Sequence, residues 1–462
     1  MKKWVGAALA ACLAVGAGPT RAQERDVPVM DEPGLAHSVA ARRADIAAFR
    51  AEFLAQDRSY ATAAREEAEA RLAQLDRNAT AVSQASFELE LARIVALADN
   101  AHTMILADPF LRHFNRVPVR LAPFGEDFYV VRAAAEHADL LGSRLVAIDA
   151  TPIAEARAAA RSLRGGTLAW RDRWLPHALE SVEIMHELGV AAEPAAALYA
   201  FAADDGSLLQ RRLAGAVFAD DATVSGTERR LGPEPMAEEG GDWRTLLSSE
   251  AAPWSLREWD RVFRWRDLPA LGAFVIDLRA NVDVDGRSIG DFLGEAGAAF
   301  AASGRANLVL DMRFNGGGDL TRTREFMRDL PLIVPGRIFV LISPWTFSAG
   351  ISSVGYVRQA AAERVTLIGE EVGDRLHFFA EGGITQLPDS GLRILNATER
   401  HDYHTGCRGF DDCHRFVVDM PIAVESLAPD IPAPWTVDAY RAGRDPAMEA
   451  VAAALAAGPA GS

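Results

Sequence analysis

Apolar residues near the start of the chain recur at three-to-four spacing: Ile46, Phe49, Phe53 and Leu54, then Phe87, Leu91, Ile94 and Val95. That period predicts amphipathic helices, and the Ala, Glu and Arg filling the intervening positions favour the same state. A small helical bundle is expected across 35–105, its last helix stopping at Asp99-Asn100-Ala101-His102-Thr103. Between 117 and 160 the pattern changes to short strands at 117–121, 128–132 and 142–149, followed by a turn at Pro152 and an Ala/Arg helix. A loop or connection is expected over 220–258, where Gly232-Pro233 and Gly240-Gly241 fall. From Phe263 onward, apolar runs alternate with helical segments: strands at 274–278, 308–312, 337–342 and 365–368, helices at 288–303, 321–330 and 349–362. Alternation of this kind predicts an α/β core.

With 462 residues, the chain is too long for one simple core, so a multidomain α+β and α/β protein is expected. The divisions are 1–22, 23–112, 113–215 and 216–462. The balance is acidic, 64 Asp plus Glu against 48 Lys plus Arg, which argues against a nucleic-acid partner. Lys2 and Lys3, an apolar run, and Thr20-Arg21-Ala22 fit a cleavable signal peptide, implying a periplasmic or secreted protein; Cys12 offers a lipoprotein alternative. No later run reaches the length of a membrane span, so no stable membrane insertion is expected. Removing 1–22 takes the net charge from −16 to −19 and removes every lysine in the sequence.

Two segments carry the candidate chemistry. The strand at 308–312 runs into Gly316-Gly317-Gly318, where residues without side chains let backbone N–H groups face a ligand. A phosphate cradle is disfavoured because no Gly-Lys-Ser/Thr follows; an oxyanion loop or a tight turn remains. The strand at 337–342 leads to Thr346-Phe347-Ser348-Ala349, placing Ser348 at the head of a helix as either an N-cap or a nucleophile. Thr346 stands where a Gly-x-Ser-x-Gly elbow would have glycine, which disfavours an α/β-hydrolase.

In this order, Asp311, Arg313, Asn315, Gly317 and Gly318, then Thr346, Ser348 and Ala349, resemble the motifs of the S41 family of tail-specific and tricorn-like serine peptidases. Gly369-Glu370-Glu371-Val372-Gly373 is similar to a further stretch of that family, with Val372 in place of threonine. The resemblance implies a ClpP/crotonase-like α/β protease core, Ser348 as nucleophile, Gly317 and Ala349 as oxyanion donors, a polypeptide substrate, and neither metal nor organic cofactor. Tail-specific members use a lysine after the serine, but Arg375 stands there and arginine does not deprotonate. The tricorn-like branch uses histidine and glutamate. Leu97 to Thr103 is similar to its histidine motif, and 423–430 to its glutamate segment, which carries His102 and Glu425 over as base and orienting acid. His377 is the competing base by proximity in sequence.

The 142–152 stretch weakly resembles a PDZ domain, which would hold a substrate by strand addition. Cys407 and Cys413 suit a disulfide in an oxidising compartment, with a zinc site involving His401, His404 or His414 as the alternative. The expected function is an exported serine peptidase; an esterase, or a non-catalytic binding protein on the same scaffold, are the rivals.

Overall fold

A computed structural model describes residues 38–217 and 224–458. The segment 1–22, expected above to be a leader, lies outside the described residues, and Cys12 with it.

The chain opens with helices α1 (Val39–Ala48), α2 (Thr62–Arg77) and α3 (Gln84–Ala96), the first and third started by Ser38 and Ser83 as N-caps. A two-residue strand, β1 (Met104–Ile105), follows. Next comes an antiparallel sheet in the spatial order β2 (Val119–Phe124), β3 (Asp127–Ala134), β4 (Arg144–Ile148), β5 (Ala196–Ala202) and β6 (Leu208–Ala214). Helix α4 (Leu168–Leu179) packs on it, with Thr167 as its N-cap. The helices and this sheet share one hydrophobic core: Phe53, Phe87 and Ile94 belong to the same buried cluster as Leu121, Val130 and Phe201.

The second core is a six-stranded sheet built from β7 (Phe263–Leu268), β8 (Ala273–Leu278), β9 (Asn307–Asp311), β10 (Ile338–Ile342), β11 (Val365–Gly369) and β16 (Ile431–Pro432), in the order β16-β11-β10-β9-β8-β7. All neighbours are parallel except the β7–β8 pair. Helices α5 (Ile289–Ser303), α6 (Thr321–Ile333) and α7 (Ala349–Ala361) connect successive strands, and α8 (Pro446–Ala456) packs against β11. Strands β8 and β10 are buried at every position, which is why β10 is a continuous apolar run and β8 is one but for Asp277, rather than alternating. In a parallel sheet, ligands bind beyond the carboxyl ends of the strands. Here those ends are Asp311, Ile342 and Gly369, so the loops 312–320, 343–348 and 370–376 converge on one edge of the sheet.

Between β11 and β16 the chain leaves this sheet as β12 (His377–Ala380), β13 (Ile384–Gln386), β14 (Arg393–Leu395) and β15 (Glu399–Asp402). Strand β14 pairs antiparallel with β1, Met104 opposite Leu395, and β12 pairs with β15. The first pairing brings the end of the helical region to the carboxyl edge of the parallel sheet.

Candidate active site

Ser348 follows β10 after a short turn that its neighbours hold rigid. Thr346 is fully buried; its hydroxyl donates to the Met312 carbonyl (2.9 Å) and accepts from the Ser343 N–H (3.0 Å). The Phe347 N–H donates to the Asn315 carbonyl at 2.9 Å, stitching this turn to the glycine loop after β9. Ser348 is half-buried and has φ 53°, in the left-handed region that side-chain-bearing residues avoid. Such strain, about 1–3 kcal/mol, persists where surrounding structure imposes it, and it turns the side chain out of the sheet ahead of α7. The helix begins at Ala349, whose N–H is one of the first-turn donors without an intrahelical acceptor, at the positive end of the helix dipole.

The glycine loop lies directly against this turn. A Cβ on Gly317 would stand 2.6 Å from the Ser348 Cβ, and one on Gly318 would stand 2.6 Å from the Asn281 carbonyl oxygen. Both residues have positive φ, 101° and 137°. Asn315 organises the loop: its amide donates to the Leu278 carbonyl (2.8 Å) and Asn281 Oδ1 (2.9 Å), and its Oδ1 accepts the Gly317 N–H (3.0 Å). The Gly317 N–H, expected as an oxyanion donor, is therefore already used. Asn281 bonds to the Gly317 carbonyl and the Asp319 N–H, skipping Gly318. Among the described residues, no hydrogen bond from the Gly318 N–H is seen. The motif residues Asp311 and Arg313 serve the frame: buried Arg313 makes paired bonds to Asp311 (3.0 and 2.7 Å) and to Asp445 (2.8 and 2.9 Å), the N-cap of α8.

His102 meets this site from the other end of the chain. Its imidazole stacks on Phe347, the residue before Ser348, with centroids 4.3 Å apart, and on its other face on Phe378 at 4.8 Å and 6°. The loop carrying it is latched three ways. Asn100 bonds both the Phe379 carbonyl (2.9 Å) and the Phe379 N–H (3.0 Å), acting as a surrogate strand partner to β12. Arg375 donates to the Asp99 carbonyl (2.8 Å) and carboxylate (2.9 Å). Thr103 donates to buried Asp57 at 2.9 Å. Arg375 thus docks the histidine loop.

The carboxylate facing His102 is Asp374, not Glu425. Asp374 Oδ2 lies 3.3 Å from His102 Nδ1, with a side chain inaccessible to solvent, and its Oδ1 accepts the Arg375 N–H at 2.9 Å. Glu425 sits exposed in the loop before β16. Asp374 directly follows the glycine stretch 369–373, but nothing in the periodicity there marks it. His377 is engaged by Arg400 at the edge of β12 and does not take the base position. With Nδ1 directed to a carboxylate, Nε2 is the nitrogen left to accept a proton. It is buried and has no hydrogen-bond partner among the described residues, Ser348 included.

Cys407 and Cys413 form a disulfide. Among the described residues no cluster of His, Cys, Asp and Glu could hold a metal ion, so the zinc alternative for this loop falls. No described helix is long and apolar enough to cross a membrane.

No family model matches the chain, and no curated protein sequence matches it. Solved structures do. The chain is similar to mature CPAF complexed with lactacystin, at 13% identity and a TM-score of 0.56, over 91% of this chain and 99% of that one. Mature CPAF alone gives 14% identity and 0.54 over 90% and 96%, and a serine-to-alanine mutant of CPAF gives 12% and 0.55 over 89% and 96%. The shared architecture extends over nearly the whole of both chains, so this chain has the fold of CPAF.

Proposed function

We propose that this chain is a serine-type peptidase acting through an acyl-enzyme, with Ser348 as nucleophile, His102 as general base and Asp374 orienting the imidazole. The observation that supports the reading is the stacking of His102, from a distant part of the chain, on Phe347, the residue before Ser348. Asp374 holds the Nδ1–H, which leaves the Nε2 lone pair to take the Ser348 proton as the hydroxyl attacks a carbonyl. The N–H groups of Ala349 and Gly318 receive the developing oxyanion. Protonated His102 then passes its proton to the leaving amine, and water repeats the sequence on the acyl-enzyme. In the proposed mechanism the Ser348–His102 hydrogen bond forms as substrate binds.

Export belongs to the same proposal: the leader-like segment 1–22 and the Cys407–Cys413 disulfide both suit an oxidising compartment. So does the use of the antiparallel sheet β2–β6, the PDZ-like segment, to hold a substrate strand along its edge. Intact-mass analysis after treatment with a fluorophosphonate tests the reading. A single adduct on the wild-type chain and none on S348A supports it; equal masses for the treated and untreated wild type favour a non-catalytic binding protein. Peptide and ester substrates assayed side by side separate peptidase from esterase.

A further inference from the structure

A concavity adjoins the turn that leads to Ser348. Its volume is about 130 Å³, room for one amino-acid side chain and well below the roughly 300–1,000 Å³ of sites that take whole small molecules. Its apolar walls are Phe124, Leu231, Trp345 and Trp435, and Glu370 lines it among them. Pro344 and Trp345 belong to the turn that ends in Ser348. Helix α4 connects the two places as well: Trp170 stacks on Phe347 at 3.9 Å, and Arg173, one turn later, lines the pocket.

The charges in the pocket are unequally satisfied. Asp172 is bound by Arg161. The Arg173 guanidinium lies over the Trp170 ring at 4.0 Å and donates to the Pro344 carbonyl at 3.2 Å. Glu370 has no such ion-pair partner among the described residues; the cation near it, Arg313, is shared between Asp311 and Asp445. Burial pushes the Glu370 carboxyl up to about 7, against the Trp435 backbone N–H and the charge of Arg313, which hold it down. The Glu370 carboxyl thus shares the pocket wall with Trp345 and Trp435 without an ion pair of its own among the described residues, and indole faces themselves attract cations.

We infer that this pocket is a substrate subsite for a cationic side chain, lysine-like, with Glu370 pairing the charge and Trp345 and Trp435 flanking its stem. The inference rests on the peptidase reading only in calling the occupant a substrate residue; the binding itself requires no turnover. The test therefore uses the S348A chain and three small probes: the Nα-acetyl methylamides of lysine, norleucine and glutamate, titrated by tryptophan fluorescence and calorimetry. The lysine probe is expected to bind at least about tenfold tighter than norleucine, with glutamate weakest, and E370Q is expected to bring lysine down to the norleucine level. Norleucine or glutamate binding as tightly as lysine, no binding of any probe, or a lysine preference that survives E370Q overturns the inference. If E370Q does not fold, the lysine-against-norleucine comparison in the unaltered pocket decides. Fluorophosphonate labelling of the wild type is scored separately, so a failed subsite and a failed peptidase reading give different results.

Discussion

Phe347 and His102 lie ring on ring, centroids 4.3 Å apart, and the residue after Phe347 is Ser348. The stack continues in both directions, to Trp170 on the far face of Phe347 (3.9 Å) and to Phe378 on the far face of His102 (4.8 Å). With both faces covered and Nδ1 directed at Asp374, the imidazole has its plane and its tautomer set by three different elements of the fold.

Asp374 and Glu425 make opposite predictions. D374N leaves the ring in place but offers the wrong tautomer, so hydrolysis is expected to fall by roughly 10³–10⁴-fold with the fold intact. E425Q, on an exposed loop, is expected to leave the rate within about twofold. Steady-state kinetics of the two variants, with circular dichroism as the folding control, checks the pair.

Gly317 admits no side chain. Its φ of 101° and the 2.6 Å approach to the Ser348 Cβ mean that G317A must move either the glycine loop or the nucleophile turn. A loss of about 2 kcal/mol or more in unfolding free energy, together with loss of hydrolysis, is expected. Denaturant melts and the same kinetics measure both.

The strain at Ser348 gives a stability prediction independent of catalysis. S348A keeps a Cβ at φ 53° and is expected to unfold within about 0.5 kcal/mol of the wild type. S348G removes the steric cost and is expected to be more stable than S348A by roughly 0.5–1 kcal/mol, the gain reduced by glycine's extra freedom in the unfolded chain. Equal stability of the two variants would remove the evidence for strain.

Glu370 carries a pH signature. Its carboxyl titrates at about 7 in the folded chain, above its ordinary value of 4.5, so between those values the folded state holds a proton that the unfolded state has lost. Unfolding then releases that proton, and the group's contribution to stability falls as pH rises from about 4.5 to 7, by up to about 3 kcal/mol, and is constant above. E370Q cannot titrate. Its stability relative to the wild type is therefore expected to increase from pH 5 to pH 8; a difference independent of pH would contradict the perturbed carboxyl.

The parallel sheet was legible in the sequence because β8 to β11 are largely buried, so each appears as a mostly apolar run rather than an alternating one. The strand expected at 308–312 forms at Asn307–Asp311, and the helix expected at 349–362 at Ala349–Ala361. His102, read from its motif as a site residue, stacks on Phe347 in the turn that carries Ser348 and Ala349. Asp374 was not legible because a loop residue becomes a partner of His102 only when β1 pairs with β14 and Arg375 docks on Asp99, contacts that no local pattern encodes. The engagement of the Gly317 N–H has a similar origin: three glycines mark a close approach, but it is the Asn315 side chain that takes up that N–H. The shared core of the helices and the antiparallel sheet was likewise hidden, since periodicity shows that a face is apolar and not what covers it.

The most direct test of the Ser348–His102 relationship is the rate and position of fluorophosphonate modification in the wild type and in H102A, followed by peptide mapping. The account predicts an adduct on the peptide containing Ser348 in the wild type, formed at least about 100-fold more slowly in H102A. An adduct elsewhere, or modification of Ser348 at the same rate without the imidazole, would contradict it.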